Sequence, residues 1–287
     1  MKILVTGASG YIGLAVAQAL HGAGHEVHGL SHGDVADVVI RNNGWTPAVG
    51  DLRDAEGLER LAAGFEAVVH AGNSGGADAG VVDERATRAL LSGLQRQGVF
   101  VYTSGAWVLG PGRSDETTTP RPAELVAWRA SLEGEVVGAD GVRGVVVRPG
   151  IVYGRGGGIP GMLARGDLPV IAPGTQRWPL VYIDDLAQLY VRALDAPVSV
   201  LHGVAATMSM AELGLLATAA GGTVSEQVTL DEARQRLGTF ADALALDQDV
   251  SAVATRAAVD WHPVGPSPVA EFLAGSYRRG ARPIAVG

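Results

Sequence analysis

The 287-residue chain has no cysteine, and Lys2 is its single lysine. The lack of thiols excludes disulfides and thiolate chemistry and fits a cytoplasmic location. No uninterrupted apolar run is long enough to span a bilayer, although mean hydropathy is +0.20. The first six residues already read as a strand, which leaves no space for a cleavable leader. Positive charge is scarce: 22 Lys and Arg stand against 30 Asp and Glu, giving a net charge of −8. With a pI of about 5.3, this argues against nucleic acid as a partner, as the missing apolar span argues against a membrane. A bound anion must then be held by local geometry. The sequence shows no internal repeat, coiled coil or metal-ligand cluster.

Hydrophobic residues make up 47% of the chain, enough for a sizeable core. The organising stretch is KILVTGASGYIG, Lys2–Gly13. Ile3-Leu4-Val5 suits one buried strand, and Leu14–Gly22 has helical spacing. Between them Gly7, Gly10 and Gly13 recur at every third residue, with Ser9, Tyr11 and Ile12 in the same turn. Strand, glycine turn and helix together place a phosphate on helix N-terminal amides. Gly7 permits the tight turn, Gly10 the approach of a pyrophosphate, and Gly13 close helix–strand packing.

Glu26–Ser31 reads as the second strand. An acid at its tip would bind the adenosine ribose hydroxyls and select NAD. The tip is instead Ser31-His32, with Arg41 in reach, which favours NADP; the competing reading has Asp34 curl back to the ribose. Thr46–Val49 is a third strand, and Asp54 caps a helix over Glu56–Ala63. Ala67–His70 is a fourth strand, running into the loop Ala71–Gly76. A helix over Asp83–Gln97, a fifth strand Val99–Thr103, a helix Ala123–Ala139 and a sixth strand Arg143–Arg148 follow. Alternation of strand and helix predicts an α/β fold, a Rossmann-type doubly wound parallel sheet. Gly154–Gly158, flanked by Tyr153 and Arg155, reads as a flexible substrate lid. Asp184 and Asp185 read as caps of the helix Leu186–Leu194, Val198–His202 as a further strand, and Thr207–Ala274 as mostly helical. The dinucleotide domain is expected over 1–155, its sheet region completed by about 177–203. A smaller, mostly helical lobe takes 156–176 and 204–287.

In order along the chain stand TGASGYIG at 6–13, GDLRD at 50–54, VVHAG at 68–72 and VYTSGAWVLG at 101–110. They continue with VVVRPGIVYGRGGG at 145–158, RWPLVYIDDLA at 177–187 and VDWHP at 259–263. This series resembles the extended short-chain dehydrogenase/reductases of the NAD-dependent epimerase/dehydratase type. The resemblance implies that Asp51 and Leu52 contact adenine and that Ala71 and Gly72 run alongside the cofactor. It also implies that Pro149 and Gly150 lead toward the nicotinamide, and that the Asp83–Gln97 and Ala123–Ala139 helices pair in a homodimer.

The family's chemistry uses a Ser or Thr, a Tyr, and a Lys four residues after the Tyr. Here the hydroxyl position falls on Gly105, the Tyr on Trp128 and the Lys on Leu132. Lys2 cannot substitute, and Arg129 lies about 100° around the helix from Trp128. Trp128 and Leu132 share a helical face and, with Trp107, suggest an apolar pocket; they equally suit plain core packing. Asn73, Tyr153 and Arg155 complete the expected substrate pocket, and Ser104, Thr103, Tyr153 and His202 are the remaining sources of a proton. The expectation is an NADP-dependent reductase acting on a small hydrophobic or aromatic imine or enone, which needs no strong protein acid. Two other readings stand: a non-redox enzyme that keeps the dinucleotide as scaffold, and a non-enzymatic NADP(H) sensor.

Overall fold

Short β-branched runs and intervening helices build the first two-thirds of the molecule. The computed structural model describes residues 1–94, 98–221 and 226–278. The chain runs β1 (Lys2–Thr6), α1 (Tyr11–Gly22), β2 (Glu26–Ser31), α2 (Asp34–Asn42), β3 (Thr46–Val49), α3 (Ala55–Ala62), β4 (Ala67–His70), α4 (Ala79–Gly93) and β5 (Val99–Thr103). It continues through β6 (Gly112–Ser114), α5 (Ala127–Val137), β7 (Arg143–Pro149), β8 (Ile151–Tyr153), α6 (Gly158–Arg165), β9 (Val170–Ile171), β10 (Arg177–Tyr182), α7 (Ile183–Ala193) and β11 (Val200–Gly203). The remainder is β12 (Ala206–Ser209), α8 (Met210–Ala219), β13 (Gln227–Val228), α9 (Leu230–Leu237), α10 (Thr239–Leu244), β14 (Gln248–Val250), α11 (Val253–Val259) and α12 (Pro268–Ala274).

Seven strands form one parallel sheet in the order β11-β7-β5-β4-β1-β2-β3. Strand order reverses between β1 and β4, so a crevice opens at their carboxyl ends, just past Thr6 and His70. Alternation along each strand loads both faces. Ile3, Val5, Val99 and Val101 pack under α1 and α7, while Leu4, Val68, Phe100 and Tyr102 pack under α3, α4 and α5. A separate core around Trp178, Leu163, Met210 and Phe272 belongs to the smaller lobe.

The doubly wound sheet agrees with the sequence reading, and β2 to β5 have the expected bounds. Several expectations change. Residues 177–182 do not join the main sheet; β10 pairs with β8 and β12 in a three-stranded sheet of the lobe. Residues 34–42, given no element from the sequence, are helix α2, so Asp34 sits in a helical first turn. The helix expected over Asp83–Gln97 begins earlier, at Ala79, and its Gln97 end lies outside the described residues. Asp184 and Asp185 are not caps, because the helix begins at Ile183. Asp184 pairs with Arg155 at 2.6 Å, and Asp185 accepts the backbone N–H groups of Val264 and Gly265.

The glycine run 154–158 is pinned, not a free lid. Tyr11 Oη donates to the Gly154 carbonyl at 2.9 Å and Tyr277 Oη to that of Gly157 at 2.7 Å. The Gly154 and Gly156 amides donate to Tyr277 Oη and Ser276 Oγ. At about 1 kcal/mol net apiece, these bonds offset a large part of the entropy that the glycines would regain by opening.

Candidate functional site

Two hollows meet at Tyr11 and Ile12. The first is a groove of about 510 Å³ along the carboxyl ends of β1, β2 and β4. Gly7, Ser9, Gly10, Tyr11, Ile12 and Gly13 form one wall. Asp51, Leu52, Ala71, Gly72 and Asn73 form the other, and His32 lies at one end. Gly7 has φ +71°, and a Cβ there would stand 2.8 Å from the Ala71 carbonyl oxygen and Gly72 Cα. A Cβ at Gly13 would overlap the Gly7 carbonyl. No side chain caps the start of α1, which leaves its first-turn amides to an anion. A cradle that any side chain would fill, ending on uncapped amides, fits a pyrophosphate.

Beyond His32 a hollow of about 440 Å³ is lined by Ser31, His32, Asp34, Asp37 and Asp51. Ser31 is buried and donates to the Gly33 carbonyl, so His32 is the residue of the pair that faces outward. Arg41 lies on the exposed side of α2, 3.9 Å from Asp37.

Behind the groove lies a buried polar chain that the sequence reading missed. Asp83 of α4 accepts from Tyr102 Oη at 2.6 Å, from Trp128 Nε1 at 2.8 Å and from His70 Nε2 at 3.0 Å. His70 Nδ1 meets Thr6 Oγ1 at 2.6 Å, and Thr6 Oγ1 accepts the Ala71 and Gly72 amides. His70 Nε2–H donating to Asp83 and Thr6 Oγ1–H donating to His70 Nδ1 give each donor of the chain one acceptor. Burial alone would raise the Asp83 pKa, but His70, Arg129 and Tyr102 hold it down at about 2.

The second hollow, about 280 Å³, lies beyond Tyr11 between the sheet and the lobe. Its walls are chiefly Trp107, Val126, Ile151, Val152, Ile159 and Pro179, with Pro149 and Gly150 between groove and lobe. Ser104 and Gly105 line it too; Ser104 is 8% exposed and its Oγ has no hydrogen-bond partner.

The expected wall of Trp128 and Leu132 is not there. Trp128 is drawn toward α4 by its bond to Asp83, where its ring covers Gly80. Leu132 is fully buried in the core beneath α5. With that face turned inward, Val126 and Arg129 face the cavity instead. The i, i+3 spacing of 126 and 129 was the available signal, but the phase of a helix cannot be chosen without knowing what it packs against.

Other expected residues are also placed elsewhere. Tyr153 is buried, donates to the Pro266 carbonyl at 2.8 Å and does not line the cavity. Burial and Asp185 push its pKa up, which unsuits it for proton transfer. His202 is fully buried, its Nδ1 at 2.8 Å from the Ser251 carbonyl and its Nε2 beside Arg148, and burial lowers its pKa. It belongs with the buried Arg148–Glu133 pair, 2.6 Å apart. Arg155 is tied to Asp184 and Gln18, away from the cavity. Asn73 lines the groove instead. Thr103 Oγ1 accepts from Tyr190. Among the described residues no group of three or more His, Asp or Glu could hold a metal ion, and no helix is long and apolar enough to cross a membrane.

Residues 3–206 match the model of a family described as the NAD dependent epimerase/dehydratase family. The human epimerase family protein SDR39U1 is 31% identical over 231 residues, covering 71% of this chain and 73% of that protein. A 2-alkyl-3-oxoalkanoate reductase from Stenotrophomonas maltophilia is 28% identical over 223 residues, 68% of this chain and 66% of the relative. The crystal structure of human SDR39U1 isoform 2 with NADPH superposes with a TM-score of 0.75 at 24% identity, covering 96% of this chain and 99% of that one.

Proposed function

The chain belongs to the NAD dependent epimerase/dehydratase family, and from that premise we propose that it is an NADP-dependent reductase of a small hydrophobic or aromatic imine or enone. The observation that carries this reading is the apolar cavity joined to the dinucleotide groove at Tyr11 and Ile12, with one unpartnered hydroxyl, Ser104, in its wall. NADPH, when bound, supplies the hydride. The α1 amides would hold its pyrophosphate, Asp51 and Leu52 would flank its adenine, and Pro149 and Gly150 would lead it toward the cavity. Apolar walls exclude water from the transfer. Ser104 Oγ–H donates to the carbonyl oxygen of an enone and polarises it, whereas Ser104 Oγ accepts from the N–H of an iminium. An iminium already carries its proton and gives the neutral amine on hydride transfer; the enolate left by an enone takes its proton from water once the transfer is complete, so the missing Tyr and Lys are not needed. NADP is favoured by the Ser31-His32 tip and by the relatives: one is named a reductase, another was crystallised with NADPH. The carboxylates of Asp34, Asp37 and Asp51 oppose a 2′-phosphate, which makes nucleotide choice the sharpest part of the test.

The test has two stages. Calorimetric titration with NADPH, NADH, NADP+ and NAD+ should show NADPH bound at least about tenfold more tightly than NADH. The NADPH-loaded protein, offered a panel of cyclic imines and aryl enones, should then lose NADPH absorbance. Binding without oxidation across the panel overturns the reductase reading in favour of a scaffold or sensor role.

A further inference from the structure

We infer that Arg129 anchors a carboxylate of the substrate, which narrows the substrate class to small acids with an apolar body; this rests on the cavity being the reductase's substrate site. Arg129 is the only charged side chain among the residues that line the cavity. It is half-buried, and no carboxylate lies within ion-pair distance among the described residues. The two acids that could have neutralised it are committed elsewhere. Asp83 already accepts from Tyr102, Trp128 and His70, and Glu133, one helical turn on, is locked to Arg148. Nη1 of Arg129 donates to the Thr103 carbonyl and lies 3.4 Å from that of Ser104. The guanidinium also sits 5.5 Å from the Trp128 ring and 5.9 Å from that of Tyr102. Among the described residues its Nε and Nη2 protons have no acceptor. A guanidinium set in an apolar wall, with free N–H groups, is matched by an anion that accepts two parallel bonds.

The second observation is independent. The Ser104 hydroxyl, more than nine-tenths buried and without a partner, faces the same cavity. Arg129 of α5 and Ser104, beside the carbonyls that Arg129 contacts, thus place one charged and one neutral handle next to each other, while the other polar side chains of the lining, Tyr11 and Gln248, are bonded to backbone carbonyls. The remaining walls are almost wholly apolar. A ligand with a carboxylate at one end, a reducible group beside it and a hydrocarbon body satisfies all three features.

The test separates this inference from the reductase reading by using ligands that cannot be reduced. The NADPH-loaded protein is titrated calorimetrically with 3-phenylpropionate and with 3-phenylpropionamide, which share an apolar body and differ in charge. The acid should bind at least about tenfold more tightly than the amide, a preference that shrinks with added salt. Arg129→Met should abolish the preference by weakening the acid alone, and Arg129→Lys should keep part of it. Equal binding of acid and amide to the wild type, or no binding of either, overturns the inference. An equal loss of both in a folded Arg129→Met protein also overturns it, since a tie on the Thr103–Ser104 turn would weaken both together. If Arg129→Met does not fold, the wild-type ratio and its salt dependence decide. An acid preference without any NADPH oxidation sustains Arg129 as anchor while the reductase reading falls.

Discussion

At the groove end of the site the binding surface is mostly backbone: the Gly7–Gly13 turn, the α1 amides and the Ala71–Gly72 loop. At the cavity end it is made by side chains from elements far apart in sequence, among them Ser104, Trp107, Arg129 and Ile159. A backbone surface tolerates almost no added atom, whereas a side-chain surface can be rewritten without disturbing the fold. The sequence places Gly105, Trp128 and Leu132 where the family resemblance expects its catalytic groups, while the turn keeps Gly7, Gly10 and Gly13.

The contrast can be broken most severely at Gly13. Gly13→Val should weaken NADPH binding by more than about 100-fold and lower stability by about 3 kcal/mol or more, because the new side chain must displace the Gly7 carbonyl. Titration and urea unfolding of the same sample would show both losses. If binding survives, the groove is less rigid than its close contacts require.

Acid should loosen the same end next. The Asp83 pKa of about 2 lies below the ordinary carboxylate value of 3.8, so ionised Asp83 stabilises the fold above about pH 4. That contribution, about 2 kcal/mol, is lost as pH falls from about 4 to 2. Urea unfolding at pH 6, 4 and 3 should show the loss, and Asp83→Asn should be less stable at pH 6 with a flatter acid limb. An unchanged acid limb in the variant would place the acid sensitivity elsewhere.

At the cavity end the effects divide differently. Ser104→Ala should lower kcat about tenfold without loss of melting temperature, since the hydroxyl satisfies nothing in the protein. The smallest effect separates the two tryptophans. Trp128→Phe should cost about 1 kcal/mol through its lost bond to Asp83, with substrate KM unchanged within about twofold. Trp107→Ala, which opens the cavity wall, should raise KM. A KM change in Trp128→Phe and none in Trp107→Ala would return the substrate site to the helix face inferred from sequence.

Legibility followed the same division. Strands β2 to β5 and the glycine turn were readable because their signals are local: short segments of four to six residues set between helical stretches, and glycines at fixed spacing. Helix α2 was hidden behind an acidic start, Asp34 to Asp37, that resembles a loop. The phase of α5 was unreadable because it is set by Asp83, 45 residues before Trp128, reaching across from another helix. Tyr153 and His202 looked chemical in sequence, and burial made them structural. Arg129 was passed over because its role depends on which acids are already engaged, information that exists only in three dimensions.

The tyrosine clamp on the glycine run sets an order of events during synthesis. Tyr11 closes on Gly154, 143 residues later, and Gly154 is in turn held by Tyr277, 123 residues later again. The nucleotide turn is made well before Tyr277, so the clamp behind it stays incomplete until the segment around Tyr277 has emerged. A nascent chain can therefore form β1 and α1 early, as domains folding from the N-terminal side do, without presenting a finished site. Loss of the segment around Tyr277 would be felt at residue 11, far away in sequence.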